Sequence, residues 1–125
     1  MFRDIEVLGV DNPNIERIPS VDNIVMVPYT LSEAPPDGWK HYFNFKAPKE
    51  ADARIDGDRA LYKCPKDKAA IKGEYQNKVA KLVEAANLHC REIDAEQRRM
   101  QAKEQEEQRR KEQEQRDFDE WKRNW

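Results

Sequence analysis

The chain has 125 residues, of which 38% are apolar and 38% are charged, and its 23 Lys and Arg side chains nearly balance 25 Asp and Glu side chains. This length allows one compact domain. The charge balance excludes the one-signed basic stripe with which a dedicated duplex-DNA binder neutralises phosphates. Apolar residues are concentrated in residues 1–100, which hold 43 of them against 4 in residues 101–125. We therefore expect a compact α+β head in residues 1–100, including the first part of a long helix, and a charged helical extension in residues 101–125.

Neither membrane insertion nor secretion is indicated by the sequence. No apolar run approaches the ~20 residues that span a bilayer, and the N-terminal residues lack the basic start and apolar stretch of a signal peptide. The two cysteines, Cys64 and Cys90, are too few for a disulfide framework. We expect a cytoplasmic protein with reduced thiols and no membrane association.

Three segments in the first half of the chain have the patterns of β-strands. In the second of them, apolar residues on both faces predict a strand that is covered on both sides. Because Pro28 cannot donate to the ladder, we expect this strand to lie at an edge or to be bulged there. The pair Asp56-Gly57 favours a tight hairpin turn before the third segment. The three segments are residues 2–10, 23–31 and 59–64.

A short helix is predicted over residues 36–44, followed by a polar loop over residues 47–53. Three aromatic side chains of this helix are spaced at i, i+3 and i+4, which places them on one face. They are Trp39, Tyr42 and Phe43. We expect this face to pack on the sheet. The alternative is a ligand-binding aromatic surface formed by Trp39, Tyr42 and His41.

Residues 67–125 are predicted to form one helix, because neither Gly nor Pro occurs after Gly73 and Asp67 is a candidate N-cap. Two heptad seams run along it, each apolar at the start, charged in the middle and aromatic at the end. One seam is Val79, Ala86, Ile93, Met100, Glu107, Glu114 and Trp121, and the other is Val83, Cys90, Gln97, Glu104, Lys111, Phe118 and Trp125. We expect the apolar start to dock on the sheet.

The middle of this helix is almost wholly Glu, Gln, Arg and Lys. Three acid-first pairs at i, i+4 support a solvated helix, each by ~0.2–0.5 kcal/mol. They are Glu106–Arg110, Glu107–Lys111 and Glu112–Arg116. A strong coiled coil is not expected there, because Glu and Lys occupy the seam. The alternative is a spacer that is disordered in isolation.

Together these elements predict an α+β fold. We expect a small antiparallel or mixed sheet of three to four strands with one short helix, plus a long C-terminal helix that extends beyond the domain.

The last residues of the chain carry the candidate partner-binding group. Phe118, Trp121 and Trp125 fall on one helical face at i, i+3 and i+7, with Arg123 beside them and Met100 earlier on the same seams. Aromatic and Arg side chains are the usual anchors of protein interfaces. We predict that residues 97–125 bind a protein partner or a second copy of the chain. The alternative is that the helix bends and the aromatic residues lie on the chain's own surface.

The leading functional hypothesis is therefore a non-enzymatic interaction or adaptor protein. The alternative is a nucleic-acid or nucleotide-binding accessory protein, in which Trp121 or Trp125 stacks on bases. The sequence argues against it, because residues 98–125 hold nine basic and eight acidic side chains.

The sequence predicts no catalytic residue, metal site or cofactor. No acid–base or nucleophile–base pair can be recognised near Trp39 and His41, so the sequence does not support an enzyme site there. His89 and Cys90, with Cys64, are too few and too irregularly spaced for structural zinc. An acidic cluster is more typical of a solvated turn than of a cation site. It consists of Glu50, Asp52, Asp56 and Asp58.

Overall fold

The computed structural model describes residues 2–50 and 52–125. The strands are β1 (Val7–Val10), β2 (Glu16–Arg17), β3 (Ile24–Leu31), β4 (Ala53–Asp56) and β5 (Arg59–Pro65). The helices are α1 (Asp37–Glu50), α2 (Lys68–Ala70) and α3 (Gln76–Arg123), and one π-helical turn (Ile71–Tyr75) joins α2 to α3. The α+β class and the long C-terminal helix are confirmed, although the sheet has five strands rather than three to four.

The sheet is antiparallel, with the strand order β1-β3-β5-β4 and with β2 beside β1 along the same edge of β3. The predicted hairpin turn joins β4 to β5, and Gly57 in it has a φ of +62°. A side chain is strained at such an angle, so glycine suits the position.

The centre of the sheet corrects two expectations about β3. Residues 25, 27, 29 and 31 are buried. On the opposite face Ile24 is exposed, Met26 is half-exposed and Pro28 is buried, so the second face is covered only in part rather than along the whole strand. Pro28 lies neither at an edge nor in a bulge of β3, because the pairing with β5 continues past it. Its carbonyl accepts from the Asp11 amide at 2.9 Å, where the neighbouring edge changes from β1 to β2. The proline therefore sits where no ladder donor is required.

The helices cover the buried face of the sheet. Trp39 and Phe43 of α1 join the same core cluster as the inward side chains of β3, β4 and β5. Helix α1 is longer than predicted and includes much of the expected polar loop, because Ala47 continues the buried face at i+4 from Phe43 and is itself fully buried. Residue 51, in the middle of that expected loop, lies outside the described residues.

A buried asparagine on α3 links three parts of the fold. The Asn87 side-chain oxygen accepts from the Ile5 amide at 2.9 Å and from the Trp39 indole N–H at 2.8 Å. Its amide nitrogen donates to the Ile5 carbonyl at 2.8 Å. Because all three bonds lie in the core, Asn87 fixes α3 against the N-terminal segment and α1.

The start of the long helix follows the predicted cap. The Asp67 carboxylate accepts from the backbone amides of Ala69 and Ala70. The π-helical turn that follows was not predicted. The Tyr29 hydroxyl donates to the Ile71 carbonyl in that turn at 2.7 Å, so a strand side chain bonds to the irregular part of the helix. Burial raises the pKa of Tyr29 above its ordinary value.

The chain divides into two units, residues 1–91 (unit 1) and residues 92–125 (unit 2). In unit 1, α3 buries apolar side chains of its first part, which was expected to dock on the sheet. These include Val79, Leu82, Val83 and Ala86. In unit 2 the chain is helical through Arg123, and each residue from 95 to 125 is exposed.

The side-chain contacts along the charged middle of unit 2 differ from the predicted ones. Across the residues that the structure describes, none of the three predicted acid–base pairs closes as an ion pair. Glutamine amides bond to carboxylates four residues onward instead, as from Gln113 to Asp117 at 2.9 Å and from Gln115 to Asp119 at 3.1 Å. Exposed Arg and Lys side chains gain little from fixed pairing in water, which accounts for the difference.

Candidate protein-interaction surface

Three aromatic side chains in unit 2 form one continuous exposed surface, which we call the aromatic face (Phe118, Trp121 and Trp125). The rings of Phe118 and Trp121 lie 5.9 Å apart between centroids, and those of Trp121 and Trp125 lie 5.4 Å apart in an edge-on arrangement. The three side chains are 55%, 60% and 91% exposed. Such a contiguous exposed group of large aromatic residues is typical of an interaction site rather than of scattered surface residues.

Helical geometry brings these rings together. The Asn124 amide donates to the Glu120 carbonyl at 3.2 Å, so helical hydrogen bonding continues past the end of α3 and keeps Trp125 one turn beyond Trp121. Lys122 and Arg123 occupy the last turn, where cations interact favourably with the helix dipole.

Of the other predicted site residues, Met100 lies on a seam of unit 2, as does Ile93, whereas Arg123 lies on the side of the helix away from the seams. Met100 and Ile93 are 58% and 42% exposed, and Arg123 is also exposed. The structure thus leaves apolar side chains exposed at both ends of unit 2, with the charged stretch between them.

No protein-family model, curated protein or solved structure matches this chain. Any inference about the function of this chain therefore rests on the chemistry of its surface. Within the described residues, no helix contains a stretch long and apolar enough to cross a bilayer.

The leading expectation for the aromatic residues of α1, packing in the core, is confirmed for Trp39 and Phe43. The alternative ligand-binding surface of Trp39, Tyr42 and His41 is not formed. Trp39 is completely buried and bonded to Asn87, so it belongs to the core and cannot form a ligand-binding surface. Tyr42 is half-buried and stacks on His89 with ring centroids 4.1 Å apart. His41 is exposed and takes no part in that stack. The pairing of Tyr42 with His89 joins α1 to α3 and was missed, because sequence spacing does not report contacts between helices.

The residues considered for metal binding are not assembled into a site. Within the described part of the chain, no group of three or more His, Cys, Asp or Glu side chains is placed to hold a metal ion. Cys64 lies 3.9 Å from the Tyr29 hydroxyl, and burial raises the pKa of its thiol to about 11. Asp52 pairs with Lys63 at 3.3 Å, whereas the Glu50 side chain lies outside the described residues.

The open face of the sheet is a surface that the sequence did not reveal. A shallow depression of about 550 Å³ lies over it, lined by side chains of both charges that include Arg17, Arg54, Asp56 and Asp58. Arg59 in its lining pairs with Asp11 at 2.9 Å. The mixture of charges gives this face no preference for an anion or a cation.

Proposed function

We propose that the protein is a non-enzymatic interaction or adaptor protein that binds a protein partner through the C-terminal half of its long helix. The observation that carries this proposal is the aromatic face, whose three side chains are each more than half exposed. Large aromatic side chains dominate the energy of protein interfaces because each buries ~150–250 Å². Met100 lies on the same seam as Trp121 and extends this surface towards the start of unit 2. Arg123, also predicted as a partner-binding residue, lies on the side of the helix away from the seams.

A helix that presents anchors at i, i+3 and i+7 suits a groove or another helix. Phe118 and Trp121 are already in contact along the helix, so binding does not require them to be brought together. This preorganisation lowers the entropic cost of association. We include a cytoplasmic location in the proposal, since Cys64 and Cys90 are both free thiols.

The proposal is tested by measuring association of the full chain with a copy of itself and with proteins captured from the producing cell. Trp121→Ala is expected to weaken the captured interaction at least tenfold, as removal of a central aromatic anchor does. Arg116→Ala is the matched control, because residue 116 is exposed on the side of the helix away from the seams. Equal binding by the wild-type chain and Trp121→Ala contradicts the proposal.

Nucleic-acid binding has less support than protein binding. Acidic and basic side chains are interspersed along unit 2, and Arg98 pairs with Asp94 at 2.8 Å. A salt titration with duplex and single-stranded probes separates the two functions, because phosphate binding weakens steeply with salt.

A further inference from the structure

We propose that the partner of the aromatic face is a second copy of this chain, bound antiparallel through unit 2. This inference rests on the proposed function and adds the identity and orientation of the partner. Its starting point is the arrangement of exposed apolar residues, which lie at both ends of unit 2 but not in its middle. An antiparallel pair places the aromatic end of each helix against the apolar start of the other.

One register pairs most of the seam residues of the two copies favourably. In antiparallel coiled coils the two seams face each other, so each residue of one seam lies opposite a residue of the partner's other seam. When Lys111 lies opposite Glu107 of the second copy, Phe118 lies opposite Met100. In the same register Trp125 lies opposite Ile93. The Lys111–Glu107 pair is oppositely charged, the Phe118–Met100 and Trp125–Ile93 pairs are apolar, and Trp121 lies opposite Gln97.

Two of the three kinds of charged flanking contact also favour this register. Lys103 then lies beside Asp117 of the second copy, and Asp94 beside Lys122, which gives two further opposite-charge contacts in each half of the dimer. Two Arg110 side chains approach each other at the centre. The unfavourable seam pair is Glu104 opposite Glu114, which favours a dimer that dissociates reversibly over a permanent one.

Other arrangements fit the sequence less well. A shift of one heptad in one direction places Phe118 opposite Glu107, and a shift in the other places Lys111 opposite Met100. A parallel pair stacks each seam residue on its own copy, so that Glu104, Glu107 and Lys111 all meet like charges. The register with Lys111 opposite Glu107 is preferred to the shifted antiparallel ones because it places both Phe118 and Trp125 opposite exposed apolar residues, and to the parallel pair because its central charges are opposite.

The exposed area of the aromatic face supplies most of what a specific dimer buries. With about 200 Å² per aromatic side chain, the exposed fractions of the aromatic face leave on the order of 400 Å² on each chain. Two copies contribute about 800 Å² before Met100 and Ile93 are included. This approaches the ~1,000 Å² at which specific interfaces begin.

Sedimentation equilibrium of the full-length chain and its variants tests the inference. We expect a reversible monomer–dimer equilibrium for the wild-type chain. Glu114→Lys converts the repulsive Glu104–Glu114 pairs into attractive ones and is expected to tighten the dimer by about tenfold. Lys111→Glu is expected to weaken it by about tenfold for the converse reason. Arg109→Glu carries the same charge change as Lys111→Glu at a position away from the seams, and it should leave the dimer unchanged.

The double variant Glu107→Lys/Lys111→Glu tests whether the two helices of the dimer are antiparallel or parallel. In an antiparallel dimer it restores the central attraction that Lys111→Glu removes, whereas in a parallel dimer neither variant changes the sign of any pair. Circular dichroism of each variant verifies that the helix is retained.

The outcomes separate this inference from the proposed function. A wild-type chain that stays monomeric up to several hundred micromolar overturns the second-copy inference, as does a dimer on which Lys111→Glu and Glu114→Lys have no effect. A dimer that Trp121→Ala leaves intact contradicts the role of the aromatic face itself. A monomeric chain that loses a captured protein on Trp121→Ala retains the proposed function and refutes only the second copy.

Discussion

Replacing Asn87 with Ala is expected to be among the most destabilising changes in unit 1. The substitution removes the three hydrogen bonds to Ile5 and Trp39 and leaves two N–H donors and one carbonyl unpaired in the core. A buried group that loses its partner costs about 1–3 kcal/mol, and because the three groups share one site their effects do not simply add. We expect the free energy of unfolding to fall by about 3–5 kcal/mol, a large share of the ~5–15 kcal/mol typical of a domain.

Urea unfolding followed by the fluorescence of Trp39 measures this loss. The chain has three tryptophans, so a Trp121→Phe/Trp125→Phe background makes Trp39 the sole reporter of the core. Asn77→Ala is the matched control, because Asn77 is exposed on the same helix and its replacement should change stability by less than about 0.5 kcal/mol.

A second variant separates the loss of hydrogen bonds from the loss of packing. Asn87→Leu refills the space of the side chain but pairs with none of the three polar groups, so it should be destabilised nearly as much as Asn87→Ala. If Asn87→Leu is as stable as the wild-type chain, the hydrogen bonds contribute little and the reasoning is wrong.

Three further predictions concern the core and the unit boundary. Tyr29→Phe removes the 2.7 Å bond to the Ile71 carbonyl and should lower the free energy of unfolding in urea by about 1–2 kcal/mol; an unchanged value would mean that water replaces the hydroxyl. Burial raises the pKa of the Cys64 thiol from 9.0 to about 11, so the folded state holds this proton more tightly than the unfolded state. Stability is then fully present below about pH 9 and falls as the pH rises towards about 11, and urea unfolding across this range should show a shallower fall in Cys64→Ala. A chain that ends at residue 100 should unfold within about 0.5 kcal/mol of the full chain in urea, because residues 95–125 are all exposed; a larger loss would show that unit 2 supports the core.

Local patterns account for the elements that the sequence predicted well. The Asp67 cap, the hairpin turn at Gly57 and the long Gly- and Pro-free helix all depend on residues close together in the chain, and each is present in the structure. The aromatic face was predicted for the same reason, since helical spacing alone brings Phe118, Trp121 and Trp125 onto one side. Its role as a binding surface stays a prediction.

Errors arose where contacts between distant segments decide the outcome. The length of α1 depends on the burial of Ala47. The burial of Trp39 was expected, but its bond to Asn87, 48 residues away, was not. The π-helical turn receives a bond from Tyr29, which is 42 residues from Ile71. None of these partners can be read from local propensity or periodicity.

The sequence by itself determined the helix, its cap and the spacing of its exposed side chains, because these follow from backbone geometry and short-range hydrogen bonding. Only the tertiary structure decided which polar groups are buried and paired, which face of the sheet stays open, and where an irregular turn is tolerated. The physical reason is that burial and hydrogen-bond pairing depend on which distant segments come into contact. Local sequence patterns do not specify those contacts.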